Sequence, residues 1–195
     1  NPIGVRSCYD EGKRCSETLF MDYYREHKLR IKIIRIFNTY GSNMAIGDGR
    51  VISNFISQAL NNNDITIYGN GKQIRDWLYV DDHCTALEKV LKIGKIGETY
   101  NIGGRNESTN IELVNLICST LDIYVKKKKE HPSESFKELI TFVKDRPGHD
   151  YRYSINAEKI ESALNWNPSV NLESGIKKTV EWYLKNKNWM ESLNH

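Results

Sequence analysis

Along the 195-residue chain, apolar and polar positions fall into short blocks punctuated by glycine, proline and asparagine. From Tyr9 to about His27 good helix formers dominate, with Leu19, Tyr23 and Tyr24 among the apolar positions, which predicts a helix of several turns. Ile31-Lys32-Ile33-Ile34-Arg35-Ile36-Phe37 is short and rich in β-branched residues, the pattern of a buried strand. A turn-rich loop from Asn38 to Gly49 leads to a helix from Val51 to Leu60. Ile65 to Tyr68 reads as a strand closed by Gly69-Asn70-Gly71, a hairpin-like turn. Trp77 to Val80 reads as another, entering a helix capped by Asp81 or Asp82. A helix followed by a strand points to α/β winding.

Tyr100-Asn101-Ile102 stops at Gly103-Gly104. Asn110, a natural N-cap, precedes a helix with Ile111, Val114, Ile117 and Leu121 near one face. Residues 122 to 138 are charged and contain Pro132, which predicts an excursion before a strand at 139 to 143. A polar loop, Asp145 to Asp150, and helices near 156 to 164 and 173 to 186 complete the pattern. In the last helix Ile176, Val180, Tyr183 and Leu184 keep core spacing.

Composition narrows the classes. With 39% hydrophobic and 27% charged residues the chain can bury a core, and its net charge of +3 is small. The basic run Lys126 to Lys129 has no interleaved aromatics and reads as a solvated loop, so no nucleic acid partner is expected. Cys8, Cys15, Cys84 and Cys118 form neither a C-x-x-C pair nor a zinc-spaced cluster, so reduced thiols, no metal and a cytoplasmic location are expected. No apolar run approaches the ~18 residues of a membrane span, and the start has no signal-peptide pattern. No glycine-rich dinucleotide fingerprint stands between a strand and a helix.

The first candidate chemistry is Tyr9-Asp10-Glu11-Gly12-Lys13. Four residues apart on a helix, a phenol and an ammonium share a face, and a neighbouring cation favours a phenolate, which suits acid/base work. Most Y-x-x-x-K pairs are plain helix surface. Arg75 has the planar fork that fits a diphosphate, or else an ion pair with Asp76 or Asp82. His149 is a binding residue or an exposed histidine. Arg50 either binds or covers the start of its helix. Of the aromatics Tyr68, Trp77 and Tyr79, Tyr68 is the one expected to stack on a nucleobase, the others being core.

Context changes the weight of Tyr9 and Lys13. The opening, from Asn1-Pro2-Ile3-Gly4-Val5-Arg6 through Tyr9-Asp10-Glu11-Gly12-Lys13-Arg14 and Arg35-Ile36-Phe37-Asn38-Thr39-Tyr40-Gly41 to Asp48 through Phe55, resembles the UDP-glucuronate decarboxylases of the extended short-chain dehydrogenase/reductase (NAD-dependent epimerase/dehydratase) family. Ile67 through His83, Gly97 through Gly104, Asp145 through Tyr153 and Glu173 through Leu184 resemble that family's dTDP-glucose 4,6-dehydratases.

The resemblance implies an α/β fold: the carboxyl-terminal part of a Rossmann-type doubly wound parallel sheet with a smaller α/β substrate-binding subdomain, the amino-terminal NAD-binding segment missing. It implies one incomplete catalytic unit over 1–195. About 1–40 and 74–95 would belong to the Rossmann-type core, and about 41–73 and 96–190 mainly to the substrate side. Tyr9 would be the catalytic acid/base and Lys13 its partner. Tyr9, Lys13 and Thr39 would contact NAD. Asn38, Arg50, Val51, Thr66, Ile67, Tyr68, Arg75, Asn110, Asp145, Arg146, Pro147, Gly148 and His149 would contact a nucleotide sugar. A homodimer through the Tyr9 helix is implied. The expected reaction is a nucleotide-sugar 4,6-dehydration. The alternatives are decarboxylation, which Asp10-Glu11-Gly12 favours, a related epimerisation, or a non-catalytic binding or dimerising remnant. Exposed apolar surface and weak NAD binding are expected of the chain alone.

Overall fold

The computed structural model describes residues 8–47, 49–125 and 134–192. Asp48 and the basic run Lys126 to Lys129 lie outside them. In chain order the elements are α1 (Cys8–His27), β1 (Ile33–Ile36), β2 (Thr39–Tyr40), α2 (Val51–Leu60), β3 (Ile65–Tyr68), β4 (Ile74–Asp76), β5 (Leu78–Tyr79) and α3 (Val80–Ile93). There follow β6 (Thr99–Ile102), β7 (Glu107–Thr109), α4 (Asn110–Tyr124), a 3-10 turn over Phe136–Leu139, β8 (Ile140–Val143), β9 (Arg152–Tyr153), α5 (Glu158–Leu164), α6 (Leu172–Lys185) and α7 (Lys187–Ser192).

The α/β expectation holds, with strands paired mostly in parallel across long connections. β1 pairs parallel with β6, β2 with β5 and β3 with β8, while β4 pairs antiparallel with β7 and parallel with β9. Gly69-Asn70-Gly71 is therefore not the turn of a hairpin. The strand before it joins β8 and the strand after it joins β7 and β9, so the two do not pair with each other. Thr99–Ile102, expected mainly on the substrate side, lies against β1.

Two apolar clusters hold these pieces. The larger joins α2, α4 and α6 through Phe55, Ile56, Leu113, Ile117, Ile176 and Val180. The smaller packs Leu78, Ala86, Val90, Tyr100, Ile160 and Trp166 around the β1–β6 pair. Each such side chain removed from water stabilises by about 1.5–3 kcal/mol before entropy is subtracted.

Polar bonds decide where segments stop. Thr109, not Asn110, caps α4: its hydroxyl accepts from Glu112 N at 3.2 Å, and the Glu112 carboxylate accepts from Thr109 N at 2.9 Å. Neither Asp81 nor Asp82 caps α3, whose N-cap is Tyr79. The buried Asp82 instead accepts from Ser169 N at 3.0 Å, Ser169 Oγ at 2.7 Å and Val170 N at 2.9 Å, pinning the approach to α6. Asp76 holds the bend before β7 through Gly104 N and Asn106 N at 2.9 and 2.8 Å. Within the expected excursion over 122 to 138, residues to 124 finish α4, Phe136 is buried, and Asp122 accepts from Ser135 Oγ at 2.6 Å.

The exception is α1, none of whose residues is buried. Leu19, Phe20 and Tyr23 face an apolar groove of about 1070 Å³ shared with Leu29, Ile34 and Leu91. The helix is tied down by Glu17, which accepts from Arg35 Nε at 2.7 Å. Tyr24 packs so near Gly97 that a Cβ there would lie 2.8 Å from its ring.

Candidate active site

Of the residues implicated by sequence, one group meets in a cavity of about 840 Å³ beyond the end of β1. Its walls include Tyr9 from α1, Asn38 between β1 and β2, Thr39 at the start of β2, and Arg50 and Val51 at the start of α2. This is the place where an open parallel sheet leaves room for a ligand, outside the carboxyl ends of its strands. Lys13 stands with its Nζ 5.2 Å from the centroid of the Tyr9 ring, as the i, i+4 spacing requires. The Tyr9 side chain is 68% exposed, free to meet a bound molecule. Asn38 donates from Nδ2 to the carbonyl of Asp76 at 3.2 Å, which orients its amide. Arg50 occupies the N-cap position of α2 with no side-chain cap bond, its backbone extended.

A second group gathers where β3 and β4 meet the loop after β8. Asp145 accepts from Gln73 Nε2 at 2.9 Å and lies 2.7 Å from His149 Nδ1. The imidazole, first among the causes, holds the Asp145 carboxyl below the usual carboxylate range. His149 is not the exposed histidine of the bland reading, since only 7% of its side chain is accessible. Gly148 takes a φ of +69°, which lets the loop fold back. Arg146 and Pro147 lie exposed at its tip. Asn110 N bonds the Gln73 carbonyl at 3.1 Å, bringing the start of α4 to the same place. Tyr68 is 50% exposed on β3 beside this loop, while Trp77 and Tyr79 are core.

Arg75 joins the two groups. It donates to the carbonyls of Ile74 and Asp150 at 2.7 and 2.9 Å and is not paired with Asp76 or Asp82, which are committed to backbone amides. Burial, and then the positive charge of Arg146, lower its affinity for the proton, partly offset by Asp150. A desolvated guanidinium with a second one close by suits an anionic ligand. Thr66 and Ile67 fit less directly. Thr66 is half-buried in the β3–β8 pair, and Ile67 is 2% exposed in the core.

Among the lining residues not singled out by sequence are Tyr153 and His83. Tyr153 stacks on Phe37 with ring centroids 4.3 Å apart, and its phenol is made less acidic first by burial and then by the nearby Asp10 and Tyr9. His83, in the first turn of α3, touches the cavity and Thr39. Nothing in the local pattern separates Tyr153 from Tyr151. A histidine one turn into a helix that follows a strand end was the signal for His83.

The chain is similar to known proteins over nearly its whole length. Residues 1–179 match the profile of a family described as GDP-mannose 4,6 dehydratase. A dTDP-glucose 4,6-dehydratase of Shigella flexneri is 47% identical over 187 residues, 96% of this chain and 50% of the relative. Among solved structures, a dTDP-glucose 4,6-dehydratase of Bacillus anthracis in complex with NAD superposes with a TM-score of 0.82 at 37% identity, covering 98% of this chain and 57% of that one. A dTDP-glucose 4,6-dehydratase of Streptomyces venezuelae with NAD bound gives 0.84 at 33% identity over 98% and 55%. The chain thus spans about half the length of the curated relatives it matches.

Proposed function

The chain belongs to the GDP-mannose 4,6 dehydratase family, and we propose that the whole protein is an NAD-dependent nucleotide-sugar 4,6-dehydratase acting on dTDP-glucose, as its relatives are named. The observation that carries this reading is the cavity in which Tyr9, with Lys13 over its ring, meets Asn38, Thr39, Arg50 and Val51. The match to the dehydratases covers 96% of the chain and so takes in the opening segment, which supports dehydration over decarboxylation.

In this reading Tyr9 accepts the proton of the sugar O4 hydroxyl through its phenol oxygen, and the Lys13 charge stabilises the phenolate that does so. Asn38 orients the sugar. Arg75 holds the diphosphate, Tyr68 lies against the base, and Asn110 with the loop from Asp145 to His149 closes the nucleotide side. Tyr9, with Lys13 over its ring, and Thr39 fit the nicotinamide end of NAD: a phenol and a hydroxyl line a cavity that His83, its Nε2 buried without a hydrogen-bond partner among the described residues, also lines. NAD, when bound, supplies the hydride acceptor at C4 and returns the hydride at C6 as water is lost across C5–C6. Residues 1–195 offer no glycine-rich cradle for its pyrophosphate, so this chain alone binds NAD weakly.

Of the described residues, those within about 1–40 and 74–95 serve as Rossmann-type core, joined by β6, and the others form mainly the substrate side; residues 1–7 lie outside the described ones. The exposed apolar face of α1 supports a homodimer, and free cysteines support a cytoplasmic enzyme. No helix among the described residues is long and apolar enough to cross a membrane. The test is to incubate the full-length protein and NAD with dTDP-glucose and, separately, UDP-glucuronate. A 4-keto-6-deoxy product from the first is expected. Carbon dioxide from the second, with no turnover of the first, would replace dehydration by decarboxylation.

A further inference from the structure

His83 has two ring nitrogens in different situations. Its Nδ1 lies 3.0 Å from Thr39 Oγ1, and that hydroxyl lies 3.1 Å from the carbonyl of Phe37. Its Nε2 is buried without a hydrogen-bond partner among the described residues. A threonine hydroxyl carries one proton, so the two contacts of Thr39 constrain the imidazole. With the hydroxyl donating to Phe37 O, His83 Nδ1–H donates to Thr39, both contacts are bonds, and Nε2 is a bare acceptor. With the hydroxyl donating to Nδ1, the Phe37 contact is lost and an N–H is buried unpaired on Nε2. The first arrangement makes one bond more and orphans an acceptor rather than a donor, the rarer and costlier case, so the network assigns that tautomer. Burial, and after it the Arg50 charge, hold the ring's proton affinity below that of an ordinary histidine, in keeping with a neutral ring.

A buried acceptor at a cavity wall is a vacancy for a donor. We propose that His83 is a positioning residue for the dinucleotide: its Nδ1–H fixes the Thr39 hydroxyl, and its Nε2 accepts a hydrogen bond from the uncharged carboxamide N–H of the nicotinamide. The assignment rests on the dehydratase reading only in taking NAD as the occupant. A carboxamide suits the site because it brings a neutral donor beside Arg50, where a cationic one would be repelled.

The experiment uses the full-length protein, with NAD as probe. Imidazole 15N spectra should show His83 protonated on Nδ1 and bare on Nε2, with the Nε2 resonance shifting on addition of NAD. His83→Asn keeps an amide N–H where Nδ1 stood but removes the acceptor. It should weaken NAD binding by about three- to tenfold in calorimetry, the loss of one hydrogen bond, with an unchanged melting temperature. In turnover it should raise the KM for NAD with little change in kcat. His83→Gln, which cannot hold Thr39 in the same way, serves as the second variant and should also weaken binding. An Nε2–H tautomer, or wild-type NAD affinity in a folded His83→Asn protein, would overturn the proposal. If NAD binds and His83 responds but dTDP-glucose is not turned over, the dehydratase reading fails and the His83 assignment stands. If NAD does not bind at all, both fall.

Discussion

α1 and α4 are the two longest helices among the described residues, and they are held in opposite ways. α4 buries Leu113, Val114, Ile117, Cys118, Thr120 and Leu121 and begins in a capping box. α1 runs for 20 residues with none buried and is tied down mainly through Glu17 and Tyr24. Isolated helices are marginal in water, and most helical stability in proteins comes from packing an amphipathic face. Asn110 therefore rests on an element with a buried face, whereas Tyr9 and Lys13 ride on one without any buried residue.

That contrast can be broken by substitution. Ile117→Ala should cost about 2–5 kcal/mol in urea unfolding, since it opens a cavity in the larger core, while Phe20→Ala on α1 should cost under about 0.5 kcal/mol. Equal costs would mean that α1 is packed after all. Asp82→Ala leaves Ser169 N and Val170 N without their acceptor. We expect a loss of about 2–4 kcal/mol in the same measurement, and an effect below about 1 kcal/mol would show that water replaces the carboxylate.

Cysteines give the comparison a chemical readout, because Cys8 and Cys15 lie on α1 and Cys118 on α4. The first two are exposed, while burial pushes the Cys118 thiol up to about 12. A thiol reagent near pH 8 should modify Cys8, Cys15 and the exposed Cys84 at least about tenfold faster than Cys118, which should react only on unfolding. The smallest expected effect is at Asp145. Its folded-state value is lowered, so its contribution is present above the unfolded aspartate value of about 3.9 and disappears as pH falls from there through the folded one. Carboxyl NMR should place its midpoint below an ordinary aspartate, and His149→Ala should raise it. An unmoved midpoint would detach the carboxyl from the imidazole.

Much of this was legible in the sequence where local pattern and final burial coincide. The helix over Val51–Leu60 and the strand over Ile65–Tyr68 follow from apolar spacing alone, and Tyr9 with Lys13 from a four-residue interval. What escaped depends on partners far along the chain. Nothing near Gly69 shows that the strand before it joins β8, nothing near Asp82 shows that its acceptors serve residues 169 and 170, and Tyr153 reaches Tyr9's cavity only because β9 pairs with β4. The α4 cap was missed by one position because asparagine ranks above threonine as an N-cap, and Glu112, three residues after Thr109, was the deciding signal.

Tyr9 carries the proposed chemistry, and one variant tests that role. Tyr9→Phe in the full-length protein removes only a hydroxyl from a side chain that is 68% exposed, so thermal stability should not change. With NAD present, formation of the 4-keto product from dTDP-glucose should fall by about 10²–10⁴-fold. A folded Tyr9→Phe protein that forms this product at the wild-type rate would contradict the assignment of the reaction to this cavity.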